Sequence, residues 1–227
     1  MARVRVRNQA IRVYRGGDCI WVGERIQRTQ VVQKMTTILA IQGDGWAAIG
    51  SDTQWTDEHG RVGKMTQSKI IATGKYLIGV AGDTRGANII QHVFTPPPVP
   101  AKASGTKLTK FIVSQFVPAY REVLEANGIG RPQYDSEPAQ TSIETLVLVG
   151  GVIYQIDSDY GTEVDANRLY AAGSGAHYGL GALQAFTEKK KMNIPFAKQA
   201  LLKALSVSAK FDQGTGAPFY TFIQQAV

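Results

Sequence analysis

The sequence predicts an α+β fold, a four-layer αββα sandwich of two antiparallel sheets flanked by helices. Three observations predict it. Short apolar, β-branched runs come in pairs separated by Gly-containing turns, the pattern of antiparallel hairpins. Helical periodicities also come in pairs. The order along the chain is strands, two helices, strands, two helices, strand. Sheets apolar on one face, accompanied by paired helices, are covered most simply by stacking the sheets and laying the helices outside them.

The elements follow in order. Thr36–Ile41 reads as a buried strand, Gly43-Asp44-Gly45 as a hairpin turn, and Trp46–Ser51 as the return strand. Residues 53–68 are polar and rich in turn formers, so they read as loop. Lys69–Thr73 and Tyr76–Ala81 form a second hairpin around Gly74-Lys75. Asp83 caps a helix running to about Phe94, with Ile89, Ile90 and Val93 on one face. The proline run from Pro96 to Pro100 ends it. A longer helix spans about Lys107 to Asn127 and stops at Gly128. Leu108, Phe111, Ile112, Gln115, Phe116, Val123 and Leu124 mark its packed face, and Pro118 predicts a kink. After a loop over 129–142, strands at Ile143–Val149 and Val152–Asp157 flank Gly150-Gly151. A short strand, Arg168–Ala172, leads into Gly173-Ser174-Gly175. Helices over about 176–190 and 194–210 come next, the second with Asn193 as cap and Pro195 in its first turn. Phe219–Gln224 is the last strand.

The chain has 227 residues with 44% apolar and 19% charged composition, which suits one globular domain or one domain with an appendage. No apolar run approaches the ~20 residues that cross a bilayer, and no apolar core of signal-peptide length follows the basic N-terminus. A membrane role and a secretory role are not indicated, and a cytoplasmic location is expected. The net charge of +7 is concentrated: residues 1–34 hold seven Arg and Lys34 against Asp18 and Glu24, leaving +1 for everything else. A nucleic-acid partner is therefore not expected for the body of the protein. The single cysteine, Cys19, lies in the same leader, so residues from 35 onward have neither a disulfide nor a cysteine-ligated zinc site. No cofactor or metal is expected. Residues 1–35 are read as a basic leader and 36–227 as the functional domain. The leader has three readings: a propeptide, an upstream-start artefact with Met35 as true initiator, or a basic arm for acidic partners.

Thr36 stands at the head of the first strand, Asp52 follows 16 residues later, and Lys69 another 17 later. Both later residues sit where short apolar runs begin or end, so side chains from neighbouring strands can converge there. A threonine exposed as a free N-terminus carries nucleophile and base on one residue: Oγ attacks and the α-amine takes the proton. That amine has a reference pKa of about 7.7–8.0, leaving a useful neutral fraction at pH 7. Taken singly, Asp52 reads as a turn cap, Lys69 as a solvated strand-end lysine, and Gly173-Ser174-Gly175 as a strand-to-helix turn. Asp212 and Thr215 read as loop-ordering hydrogen-bonders.

Together, six pieces carry a resemblance: Thr36-Thr37-Ile38, Gly50-Ser51-Asp52-Thr53-Gln54, Ser68-Lys69-Ile70, Gly79-Val80-Ala81-Gly82, Ala172-Gly173-Ser174-Gly175, and Asp212-Gln213-Gly214-Thr215-Gly216. In their order and spacing residues 36–227 resemble proteasome β-type and HslV-like threonine peptidase subunits, which are N-terminal-nucleophile hydrolases. The resemblance does not extend to residues 1–34. It implies the sandwich fold, self-assembly into homo-oligomeric stacked rings, protein or peptide substrates, and a separate ATPase unfoldase ring as partner. It also implies roles. Thr36 is the nucleophile, with its own amine as base. Lys69 sits beside Oγ and Asp52 pairs with Lys69. The Gly82 amide donates to the oxyanion. Ser174, Asp212 and Thr215 orient the amine. Two departures stand out. Thr215 occupies a position where serine is usual, keeping the hydroxyl. Met35 precedes Thr36 where self-cleaving precursors usually have glycine, which favours trimming of an initiator methionine.

Other motifs carry less. Ser104-Gly105-Thr106-Lys107 matches Ser-x-x-Lys but has no Lys-Thr-Gly partner. Gly173, Gly175 and Gly179 miss the dinucleotide fingerprint by one residue. There is no Walker loop, and His59, His92 and His177 lack metal-ligand spacing. Lys189-Lys190-Lys191 reads as a solvated helix end, and Gln54 and the residues near Asp83 are candidates for lining a substrate pocket. The expected activity is threonine-type endopeptidase cleavage of unfolded polypeptides in a closed chamber. The alternatives are a small-amide hydrolase of the same fold and a catalytically silent shell subunit with its leader retained.

Overall fold

The computed structural model describes residues 12–15, 18–21, 36–57, 59–130 and 140–226. Residues 1–31 and 32–227 form separate compact units. In the first, β1 (Arg12–Arg15) and β2 (Asp18–Trp21) pair as an antiparallel hairpin. The leader's Arg3–Arg7 alternation and Met35 lie outside the described residues.

The second unit begins with β3 (Ile38–Gly43) and β4 (Trp46–Ser51), joined through Asp44-Gly45. Next come β5 (Gln54–Thr56), β6 (Val62–Lys64), β7 (Ile70–Thr73) and β8 (Tyr76–Gly82). Helix α1 covers Thr84–His92, and Asp83 caps it by accepting from the Arg85 amide. Helix α2 (Gly105–Phe111) runs through a π-helical turn (Ile112–Phe116) into α3 (Val117–Ala126). Strands β9 (Ile143–Val149), β10 (Val152–Ile156), β11 (Thr162–Glu163) and β12 (Leu169–Ala172) follow. The chain ends with α4 (Ala176–Thr187), α5 (Ile194–Phe211) and β13 (Tyr220–Gln225). Asn193 caps α5 by accepting from the Phe196 amide.

One sheet has the order β11-β10-β9-β8-β7 and the other β12-β3-β4-β13, every pairing antiparallel. Three packed layers result. Between the sheets lie Ile38, Ala40, Ile49, Leu77, Leu146, Leu148 and Tyr170. Outside the five-stranded sheet, Ile78, Val80 and Val147 pack under Ile90, Leu108, Ile112, Phe116 and Tyr120. Outside the four-stranded sheet, Leu39, Ile41 and Ala48 pack under Leu183, Leu201 and Leu205. Consecutive residues of β3 from Ile38 to Ile41 therefore alternate between two dry interfaces, which is why that stretch is apolar at every position instead of alternating with polar residues. Helices outside and sheets inside make the expected αββα sandwich.

The structure departs from the sequence expectations at several places. β3 begins at Ile38, so Thr36 and Thr37 precede the strand. The loop expected over 53–68 contains the β5–β6 hairpin, where the Arg61 guanidinium lies 5.6 Å from the Trp55 ring centroid. β11, two residues long, was too short to register as a period. Val93 and Gln115 are exposed, while Phe94 and Tyr120 are buried in their layer. Instead of a proline kink, the helix takes a wider turn: the Val117 amide donates to Ile112 O, five residues back. Pro118 follows immediately, so its missing N–H is absorbed at a place where the α-pattern is already interrupted.

Candidate active site

The sandwich brings six chain segments to one end. Thr36 and Thr37 enter β3, Asp52 leaves β4, Lys69 enters β7, and Gly82 ends β8. Ser174 follows β12, and Asp212 and Thr215 follow α5. Neighbouring strands of one sheet carry Thr36 and Asp52, and the other sheet carries Lys69. Sheet stacking is what makes them meet.

Lys69 Nζ donates to Thr36 Oγ1 at 3.0 Å and to Asp52 Oδ1 at 2.8 Å. Both charged side chains are buried, at 7% and 0% exposure. The Asp52 carboxylate also accepts from the amides of Thr37 (3.1 Å), Gln54 (3.0 Å) and Gly216 (3.1 Å). Burial pushes Asp52 above the usual carboxylate value, opposed by the Lys69 charge and the amide donors. Burial likewise pulls Lys69 below the ordinary lysine value, opposed by Asp52 and then by Asp212. The two desolvation effects oppose the charged forms, and the short contact between them is what allows an ion pair to exist in so dry a place.

On the other side of Thr36, its backbone N donates to Ser174 Oγ at 3.2 Å. Ser174 Oγ donates to Asp212 Oδ2 at 2.8 Å, and Thr215 Oγ1 donates to the same oxygen at 2.5 Å. Thr215 thus makes the bond expected of a serine there. Asp212 terminates α5 through its amide on Ser208 O, and Ser208 Oγ holds Gly175 O at the start of α4. The two outer helices therefore anchor this half of the cluster.

Glycines make room for these contacts. At Gly173 (φ +95°) a Cβ would lie 2.1 Å from Thr36 O, and at Gly175 one would lie 2.0 Å from Thr37 Oγ1. Gly82 has φ +117°, and a Cβ there would lie 2.1 Å from Ser142 O. Glycine at 82 is thus demanded by backbone conformation and by the neighbouring loop.

All of the expected site residues except Gly82 are thus linked by hydrogen bonds, and Gly82 adjoins them through Ala81, whose Cβ lies 3.2 Å from the position a Gly173 Cβ would take. Gln54 lies alongside, donating from Nε2 to Gln213 O at 2.5 Å. Two participants carried no separate role in the sequence: Thr37, and Glu144, whose carboxylate accepts from the Gly173 amide at 2.9 Å. Thr37 was visible only as the second hydroxyl of Thr36-Thr37. Glu144 was visible only as an acid in an otherwise apolar strand. His59, His92 and His177 lie apart from the cluster's hydrogen bonds. Among the described residues no group of three or more His, Cys, Asp and Glu is arranged to hold a metal ion, and no helix is long and apolar enough to cross a membrane.

No family model and no curated protein matches the sequence. Solved structures do match the fold. Thiobacillus denitrificans BPH is 20% identical with a TM-score of 0.67, over 85% of this chain and 99% of that one. The same protein in complex with epoxomicin has the same identity and TM-score, over 85% of this chain and 100% of that one. Eukaryotic HslV from Trypanosoma brucei is 18% identical with a TM-score of 0.59, over 84% and 99%. The chain shares the fold of Thiobacillus denitrificans BPH and of HslV from Trypanosoma brucei.

Proposed function

We propose that this protein is a threonine-type endopeptidase subunit whose nucleophile is Thr36 once that residue is N-terminal. The observation that carries the proposal is the position of Lys69, which donates at once to Thr36 Oγ1 (3.0 Å) and to a fully buried Asp52 (2.8 Å). An ammonium held there stabilises negative charge developing on Oγ. It also disfavours a second positive charge on the adjacent α-amine, keeping that amine available as a base. The fold shared with HslV and with the epoxomicin-binding BPH supports the same reading.

The chemistry runs as follows. The Thr36 amine takes the Oγ proton as Oγ adds to the substrate carbonyl. The tetrahedral oxygen carries the negative charge, with the Gly82 amide as its donor. The amine then returns the proton to the departing peptide amine as the C–N bond breaks. Water, deprotonated by the same amine, then adds to the acyl carbon, and the amine returns that proton to Oγ as the acyl–oxygen bond breaks. With Met35 still attached, the Thr36 nitrogen is an amide, has no usable lone pair, and cannot perform the first step. The leader-bearing chain is therefore inactive, as a propeptide or retained leader would make it.

The subunits form homo-oligomeric rings that act on unfolded polypeptide, fed by a separate ATPase ring, and work in the cytoplasm. These features rest on likeness to HslV-type rings. The test is N-terminal sequencing of active protein combined with a Thr36→Ala comparison and epoxomicin binding. Activity and epoxomicin binding should accompany a chain beginning at Thr36 and vanish in Thr36→Ala. Full peptidase activity in Thr36→Ala, or in a chain extended ahead of Thr36, would refute the proposal.

A further inference from the structure

The half of the cluster around Lys69 and the half around Asp212 are joined through one residue. Thr37 is fully buried, and its amide donates to Asp52 Oδ1 at 3.1 Å. Its Oγ1 lies 2.5 Å from Thr215 Oγ1. Counting protons fixes the direction of that contact. A hydroxyl has one proton to donate, and Thr215 spends its own on Asp212 Oδ2. Thr37 must therefore be the donor and Thr215 the acceptor. Ser174 Oγ lies 2.8 Å from Asp212 Oδ2 and 3.4 Å from Thr36 O, so its proton goes to the nearer, charged acceptor and its oxygen faces the Thr36 nitrogen as an acceptor. Two chains of donors then converge on one carboxylate oxygen: Thr37 to Thr215 to Asp212, and Thr36 nitrogen to Ser174 to Asp212.

A second observation concerns the space given to this hydroxyl. A Cβ at residue 175 would fall 2.0 Å from Thr37 Oγ1, 2.8 Å from Thr215 Oγ1 and 3.0 Å from Asp212 Oδ2. The turn into α4 is cut back to backbone alone where the Thr37–Thr215–Asp212 contact passes.

We infer that Thr37 is a positioning residue for the proposed peptidase reaction. Its hydroxyl donates to Thr215 Oγ1 and so holds that side chain where its own proton reaches Asp212, the carboxylate that also takes the Ser174 proton and leaves Ser174 a lone pair toward the Thr36 nitrogen. Its amide ties that network to the Asp52–Lys69 pair. Without the hydroxyl proton, the buried Thr215 oxygen loses its donor and the side chain is held less firmly against Asp212. The Thr215 bond to Asp212 is then less well aligned, Asp212 and Ser174 are held less rigidly, and the amine is positioned less well with its lone pair toward Oγ. The inference rests on the proposed function, because it assigns Thr37 a task at the same site.

The test compares Thr37→Val, which removes the hydroxyl and nearly keeps the shape, with Thr37→Ser, which keeps the hydroxyl. Thr37→Val should lower kcat at least ten-fold with KM little changed, and Thr37→Ser should restore most of that loss. A purely packing role would give the opposite order, since valine fills the site better than serine. An activity-independent arm uses urea unfolding of Thr37→Val, Thr215→Val and the double variant, which should be non-additive because the two hydroxyls share one contact. Wild-type kcat in Thr37→Val, a loss that serine does not restore, or additive unfolding effects would each overturn the inference. Failure here is distinct from failure of the function: an active Thr36→Ala refutes the peptidase reading, whereas an inactive Thr36→Ala with a fully active Thr37→Val refutes only the role of Thr37.

Discussion

Replacing Lys69 with methionine is the most demanding perturbation of this site. The substitution keeps most of the stem volume and deletes one charge. Asp52 would retain the Thr37, Gln54 and Gly216 amides as donors but would lose its ion-pair partner Lys69. Leaving one charge of a buried pair uncompensated costs about 3–5 kcal/mol. Asp52 can escape part of that by protonation, because burial already raises its carboxyl above the ordinary value. A carboxyl whose folded pKa is raised contributes stability below its unfolded value of about 3.9 and loses it as pH rises through the folded value. The deficit of Lys69→Met relative to the parent should therefore approach about 3–5 kcal/mol near pH 8 and shrink toward pH 4. Activity should fall by about 10²–10³-fold, the effect of losing one donor to a developing oxyanion-type charge. Urea unfolding at several pH values, alongside kcat on a peptide substrate, reads both effects. Equal urea midpoints at pH 8, or a deficit that grows as pH falls, would refute the reasoning.

Three further outcomes are expected. The pH dependence of kcat/KM should be bell-shaped. Its acid limb reports the α-amine, pushed below about 7.7–8.0 by the neighbouring ammonium. Its alkaline limb reports Lys69 and falls below 10.5, because burial lowers that lysine; an alkaline limb above 10.5 would contradict the assignment. Gly173→Ala should destabilise the protein by about 1–3 kcal/mol or more in urea, since it forces a side chain onto φ +95° and onto Thr36 O. Tyr120→Phe should cost about 1–3 kcal/mol in urea by stranding the buried Thr145 hydroxyl, which lies 2.7 Å from the tyrosine oxygen. It should leave kcat unchanged, because that pair sits in the outer helix layer.

Much of this architecture was legible because local signals were strong. The β3–β4 hairpin carries Asp44-Gly45 between two apolar runs. Asp83 and Asn193 announce the starts of α1 and α5, and both side chains make the expected cap bonds. Misjudged positions have tertiary causes. Val93 fits the helical period of Ile89 and Ile90, yet α1 ends at His92 and turns Phe94 inward in its place. The β5–β6 hairpin lies in a polar segment, where Trp55 packing on Gly63 takes the place of an apolar pattern.

What the sequence determined by itself was most of the order of strands and helices, the place of Thr36 just ahead of the β3 apolar run, and the identity of the charged and hydroxyl residues. Those are local properties, written in period, turn chemistry and residue type. Tertiary structure alone decided that Lys69, from one sheet, would lie 3.0 Å from Thr36, from the other, and that Thr37 would bridge Asp52 and Thr215. The contact between Thr37 and Thr215 joins residues 178 positions apart. No local preference encodes such a distance, which exists only after two apolar sheet faces have been pressed together and dried.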